Sequence, residues 1–331
     1  MTATATAAPV VTRARVGWGD LLWLTWRRHR WTVLATAVPV VGLAAVALVM
    51  TWHVEASGHV RHELPLPGYT YTGASEALTF LPTFGGALIA VFWAAPLLSR
   101  EYEQRTHLTV WGQDLSPVRW LTGQVVLLGV PAIGLTAGFS AALVTLMNSM
   151  NAHAVGDPPF RPFDYDVFEV VPQVQVGYAA FGFALGLALG AVTRRTVLSM
   201  GLALVGFFLV RGLVASMWRP YYLAPLRDVR PFRAGRDGAL QGPPPDAMVV
   251  DMGYLDGAGN EVDLVTSPCG DSPVGSFQRC MVEHGITDVY TDYQPLDRLV
   301  PFQLIEVGVF TALAAGLLAL AFWWVGRAHQ V

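Results

Sequence analysis

The sequence predicts an all-α polytopic membrane protein. Six transmembrane helices follow an N-terminal interfacial helix, and a small disulfide-containing external domain sits between helices 5 and 6. Three observations predict it. Six long apolar runs punctuate the 331 residues. The chain is 53% hydrophobic and 14% charged, where soluble domains carry about 25% charged residues, so only lipid can solvate so much apolar surface. The one long polar segment, Arg219 to Leu299, holds both cysteines and half of the 24 acidic residues.

Residues 1–15 are Ala/Thr-rich and read as a disordered N-terminus. From Val16 to Arg30, Trp18, Leu21, Leu22 and Trp26 share one helical face, and Arg27, Arg28 and Arg30 follow. Aromatics beside arginines fit a helix lying in the membrane interface; the other reading is the charged flank of the first span. The spans are Trp31–Trp52, Leu78–Leu98, Leu121–Leu146, Val174–Val192, Val197–Trp218 and Val300–Val325, each near the ~20 residues a bilayer requires. A signal peptide is the rival for the first run, but the run is too long for an h-region and thirty residues precede it. Domain boundaries follow: 16–218 for the interfacial helix and helices 1–5, 219–299 for the external domain, and 300–331 for helix 6 and the tail.

Arginine in the short loops sets orientation. Five arginines precede the first span, Arg100, Arg105 and Arg119 lie in the second loop, Arg194 and Arg195 in the fourth, and Arg327 in the tail; the opposite side offers Arg61 and Arg161. Both termini are therefore expected in the cytoplasm, and the long segment outside. Cys269 and Cys280 both fall in that segment, which suggests a disulfide worth about 3 kcal/mol in the loop-entropy picture; two free thiols are the alternative.

Within the spans, Gly182, Gly186 and Gly190 stack on one face and let a neighbouring backbone approach closely. Arg211 and Glu306 fall at similar depth near the outer ends of the fifth and sixth spans. A charge there is costly unless paired or hydrated, so the two are expected to pair or to line a wet cavity, with snorkelling to the interface as the alternative. Asp164, Asp166 and Glu169 read as a solvated acidic face. His53, His59 and His62 cluster with Glu63 at a spacing that matches no metal motif, so no metal is expected. The net charge of −3 and the lack of a basic tract speak against nucleic acid. Lysine is absent, so the chain has no GxxxxGK[ST] phosphate loop. No catalytic set is legible, and the chain is not read as an enzyme.

The loop after the second span reads Leu98-Ser-Arg-Glu-Tyr-Glu-Gln-Arg-Thr-His, followed by Ser116-Pro117, Arg119 and Gly123. With the six-span layout it resembles the ABC-2 family of ABC transporter permeases, in an actinobacterial-type variant. Arg100-Glu101, Thr106, Pro117, Arg119 and Gly123 match the family pattern; Arg105 stands where Gly is usual and Gln124 where Lys is usual. The resemblance implies a permease subunit of an exporter, of the multidrug-efflux kind, in the bacterial plasma membrane. A second permease chain, a homodimer being favoured, and a separate P-loop ATPase that binds ATP and Mg would complete it; this chain would bind no cofactor. Arg100, Glu101, Tyr102, Glu103, Arg105 and Thr106 would form the coupling helix. Phe80, Phe84, Phe92, Trp93, Phe207 and Phe208, on spans two and five, would line a path for an apolar or amphipathic cargo: a drug, antibiotic, peptide or lipid. The rival classes are an ABC-like sensor subunit and a membrane-embedded enzyme.

Overall fold

The computed structural model describes residues 17–60, 70–104, 116–232, 246–262 and 274–328. Six helices are long and apolar enough to cross a membrane, and each expected span lies inside one of them. They are α1 (Trp18–Ser57), α2 (Tyr71–Glu103), α3 (Pro117–Ala152), α5 (Pro172–Thr193), α6 (Thr196–Tyr221) and, after a one-turn lead-in, α8 (Leu299–Ala328). The short α4 (Tyr165–Val170) precedes α5, and α7 (Val274–Glu283) belongs to the segment between α6 and α8. One end of the helices carries the first and last described residues; the other carries a sheet.

Local chemistry sets the helix ends. Thr70 Oγ1 accepts the Gly73 N–H at 3.0 Å and Ser116 Oγ that of Arg119 at 3.3 Å, each satisfying a donor the first turn leaves open. Prolines set the internal irregularities. The π turns at Ile89–Ala94, Val125–Gly129 and Val214–Trp218 each end two residues before a proline: Pro96, Pro131 and Pro220. A proline has no N–H to give and crowds the carbonyl one turn back. One wider turn relieves the clash without ending the helix.

The interfacial helix is not a separate element. α1 is continuous over 40 residues, about 60 Å at 1.5 Å per residue, twice the hydrocarbon thickness. Nothing at Arg30–Trp31 breaks it: no Gly or Pro stands there, and the arginines are good helix formers. Trp18, Leu22 and Trp26 are exposed along its first half.

α5 is the central helix, packed against α2, α3, α6 and α8. Its glycines make this possible. A Cβ at Gly182 would overlap the Gly86 carbonyl, one at Gly186 the Ala90 carbonyl, and one at Gly190 would lie 2.6 Å from the Ala95 oxygen. The partner backbone is therefore α2 of the same chain, a choice the sequence left open. Around this seam Trp93, Leu97, Phe183 and Leu187 form one core cluster, and Tyr178, Phe181, Phe207 and Phe310 another. α5 then turns into α6 across two residues, with Arg194 in the left-handed region at φ 54°.

The segment between α6 and α8 departs from the expected all-α class. It holds an antiparallel sheet of order β1-β4-β2-β3, from β1 (Leu226–Pro231), β2 (Met248–Asp256), β3 (Glu261–Val262) and β4 (Ile286–Gln294). The residues of β4, Ile-Thr-Asp-Val-Tyr-Thr-Asp-Tyr-Gln, are rich in β-branched and tyrosine side chains, which suit a half-buried strand. Arg227 grips Asp292 with two bonds of 2.8 and 2.7 Å and Glu261 with a third of 2.8 Å, joining three strands. These bonds hold the Asp292 carboxyl below the usual carboxylate range. The expected Cys269–Cys280 bridge falls partly on Cys269, which lies outside the described residues.

Gly186→Ala drives a methyl into the α2 backbone, which cannot yield as a side chain would. It is expected to cost about 1–3 kcal/mol of overpacking strain and to lower the thermal unfolding temperature in detergent. Gly316→Ala, whose methyl meets nothing within 4 Å, is expected to leave it unchanged.

Candidate functional site

The prominent polar feature is a cluster of four charges at the sheet end, buried among apolar helices. Arg211 comes from α6, Arg219 from the last turn of α6, Glu169 from α4 and Glu306 from α8. All four are at most 4% exposed. Arg211 Nη2 donates to Glu169 Oε2 and Nη1 to the Thr83 carbonyl at 3.3 Å. Arg219 lies between both carboxylates. Its Nε donates to Glu306 Oε2 at 2.8 Å, and its Nη2 reaches Glu306 Oε1 at 2.6 Å and Glu169 Oε1 at 2.5 Å. The grip on Glu306 is the two-pronged geometry that makes arginine–carboxylate pairs strong.

Aromatic groups finish the cluster. The Tyr178 hydroxyl donates to Glu306 Oε1, and Tyr222 donates to Glu306 Oε2 at 3.3 Å. Burial, then the Glu306 carboxylate, push the Tyr222 phenol above its ordinary value, so it remains a donor. The Arg219 guanidinium lies 4.3 Å from the Phe168 ring centre and that of Arg211 5.0 Å from Tyr165. Two positive and two negative groups cancel, which is the condition for keeping any of them in so apolar a place.

The expected direct pairing of Arg211 with Glu306 is therefore corrected. Both residues belong to the cluster, but Arg211 bonds Glu169 and Glu306 bonds Arg219. Glu169, read as solvated, is 1% exposed; Phe168 and Val170 beside it are also buried, and α4 tucks under the helix ends. Arg219, read as the first residue of the external segment, belongs to the membrane helix. Eight residues of regular helix separate two side chains by about 80°, and the extra residue of a π turn takes back about 100°. The π turn at Val214–Trp218 thus brings Arg219 onto the side of Arg211. Pro220 is the sequence signal that could have shown it.

At the opposite end, the loop residues divide. Arg100 and Glu103 are exposed, and Glu103 Oε2 accepts the Thr196 hydroxyl at 2.5 Å. Glu101 does not offer its charge outward: it is 4% exposed and forms an ion pair with Arg28 of α1. The Tyr102 ring lies 5.1 Å from the Arg194 guanidinium. Arg105 and Thr106 lie outside the described residues. Thr25 of α1 accepts a bond from Gln124 at 3.3 Å, and Arg119 lies over the Trp18 ring at 5.4 Å. The first half of α1 thus grips both helices that flank the loop. Arg28 was not singled out in the sequence because its partner is 73 positions away.

The six aromatic candidates do not share one surface. Phe84, Phe92 and Trp93 line a cavity of about 530 Å³ between α1, α2 and α3. Phe80 is exposed, edge-on to Phe84 at 5.4 Å, and Phe208 meets Phe84 at 5.9 Å. Phe207 is fully buried over Gly86, against Tyr178 and Phe181. Of the histidine cluster, His62 and Glu63 lie outside the described residues.

Six helices able to cross a membrane, joined by a charged loop and locked by a buried charge cluster, define a polytopic membrane protein. Residues 68–219 match the family described as ABC-2 membrane transporter related. This region, α2 through Arg219, is similar to the ABC-2 permease family, the family that the loop residues resemble. Comparison with curated proteins and with solved structures gives no match.

Glu306→Gln keeps the shape of the side chain and leaves two arginines against one carboxylate. It is expected to cost about 3–5 kcal/mol, as breaking a buried pair does. Thermal unfolding in nanodiscs measures it. The double variant Glu306→Gln with Arg219→Gln restores neutrality and is expected to lose less than the sum of the two single changes.

Proposed function

We propose that the chain is the permease subunit of an ATP-driven exporter that moves an apolar or amphipathic substrate by alternating access. A separate ATPase subunit drives it, and two copies of the permease form the transport path. The observation that carries this reading is the family match over residues 68–219 together with the charged loop that joins α2 to α3. The chain lies in the bacterial plasma membrane with both termini in the cytoplasm, which the arginine bias of the short loops supports. ATP and Mg belong to the partner.

In this reading the loop meets the motor through Arg100 and Glu103, whose side chains face solvent, and through the neighbouring Arg105 and Thr106. Glu101 transmits rather than docks: its ion pair with Arg28 would carry loop movement into α1. A transporter works only through states that bind substrate differently, so the path from loop to helix must shift the cavity walls. The chain divides after Tyr221 and before Leu299 into a membrane unit, an external domain and a final helix.

Pull-down of tagged protein from gently solubilised membranes of the producing organism tests the reading. A stoichiometric P-loop ATPase is expected. Arg100→Ala with Glu103→Ala is expected to reduce its recovery about tenfold, a loss of about 1.4 kcal/mol. A preparation without ATPase, even after crosslinking, would sink the exporter reading in favour of a sensor subunit or a membrane enzyme.

A bridge between Cys269 and Cys280 closes the external domain. Both cysteines of the chain lie there, on the side where oxidation occurs. Non-reducing peptide mapping of protein made in its own membrane is expected to give one linked pair; two alkylatable thiols would exclude it.

A further inference from the structure

The cavity between α1, α2 and α3 is apolar over nearly all of its wall, but two of its buried polar atoms have no partner among the described residues. They are the Ser140 hydroxyl of α3 and the Gln175 Oε1 of α5. Both residues are 1% exposed. The Gln175 amide is fixed: its Nε2 donates to the Glu169 carbonyl at 3.0 Å, which turns the oxygen the other way. There the oxygen faces Gly85, where a Cβ would lie 3.8 Å from it and 3.5 Å from the Thr136 methyl. Gly85 thus leaves open the space in front of the oxygen. Across the cavity, Pro39 of α1 has no N–H to return to the carbonyl of Ala35, and both residues line the wall.

An unmatched buried acceptor is costly, and a pocket of this size with few polar groups on an apolar wall is the usual form of a small-molecule site. We propose that this cavity binds a largely apolar small molecule carrying one hydrogen-bond donor, a hydroxyl or an amine. The donor is given to Gln175 Oε1 and shared with the Ser140 hydroxyl, and the apolar body lies against Phe84, Phe92 and Trp93. The site lies within one chain, and it reaches the buried charge cluster through the Gln175–Glu169 bond. The inference deepens the permease reading and rests on it for the membrane setting. Occupancy needs neither ATP nor transport, so a failed transport assay and an empty cavity are separate results.

The test uses the full chain in nanodiscs of phosphatidylcholine, whose headgroup has no donor. The probe is a long-chain alcohol carrying a diazirine; its methyl ether is the control. After illumination, peptide mapping is expected to place the alcohol on the cavity walls within residues 35–43, 81–93 or 132–140. The ether is expected to label them about fivefold less, the worth of one hydrogen bond. Ser140→Ala removes one polar partner, and Gly85→Ala fills the space before the other at ordinary contact distance. Each is expected to reduce alcohol labelling about fivefold with the unfolding temperature unchanged. Competition then separates the sources of the ligand. Displacement by diacylglycerol marks a membrane lipid, and displacement by unlabelled long-chain alcohol but not by diacylglycerol marks a non-lipid amphiphile. Equal labelling by alcohol and ether, or labelling that neither competitor displaces, overturns the proposal. The alcohol–ether comparison on the unaltered chain decides even if a variant fails to fold.

Discussion

Charge neutrality among Arg211, Arg219, Glu169 and Glu306 is the constraint around which the sheet end is organised. None of the four is tolerable alone among apolar helices, so the elements carrying them must meet. α4 is pulled under the bundle to deliver Glu169. α6 carries a π turn before Pro220 and so presents two arginines on one side. α8 must hold the register that puts Glu306 against Tyr178 and Arg219. Buried ionic groups of this kind do little for net stability against an apolar substitute, but a shift that separated one of these charges from its partners would leave it buried and unpaired.

The opposite end is organised differently. There the grip is spread over single contacts between α1 and its neighbours: Arg28 with Glu101, Thr25 with Gln124, and Trp18 under Arg119. No comparable neutral cluster holds this end among the described residues. The charged loop that joins α2 to α3, which the proposed function would have meet a motor, lies at this end.

Much of this was legible because the signals are long. The six apolar runs each exceed what noise in composition produces, and the observed helices enclose all of them. The glycines at 182, 186 and 190 could be placed on one face by spacing alone; which backbone they met was a tertiary fact. The three π turns each end two residues before a proline, but Pro39 lies inside α1 without one, so proline alone did not mark them. Glu169 was misread because a carboxylate among Asp164 and Asp166 looks solvated, and burial is decided by partners on α6 that a local window does not contain. The sheet was missed because its strands are interrupted by turns and its partners are non-local: Leu226 pairs with Tyr293. The supposed interfacial helix failed for a simpler reason, since polarity changed at Arg30 while helix propensity did not.

The sheet begins and ends on membrane helices. β1 follows α6 and β4 leads to α8, and these two strands are hydrogen-bonded neighbours from Leu226↔Tyr293 to Pro231↔Asp288. Their roots are fastened as well. Gln294 Nε2 donates to the Pro220 and Leu223 carbonyls at 2.9 and 2.7 Å, and Arg298 Nη1 to the Ala224 carbonyl at 2.7 Å. The last turn of α6 and the first of α8 are thus two legs of one rigid trestle. A small tilt of either leg cannot be absorbed at its foot, so it swings the platform above. At about 3.4 Å per residue a nine-residue strand spans roughly 30 Å, so a tilt of either leg would be displayed over that length at its far edge.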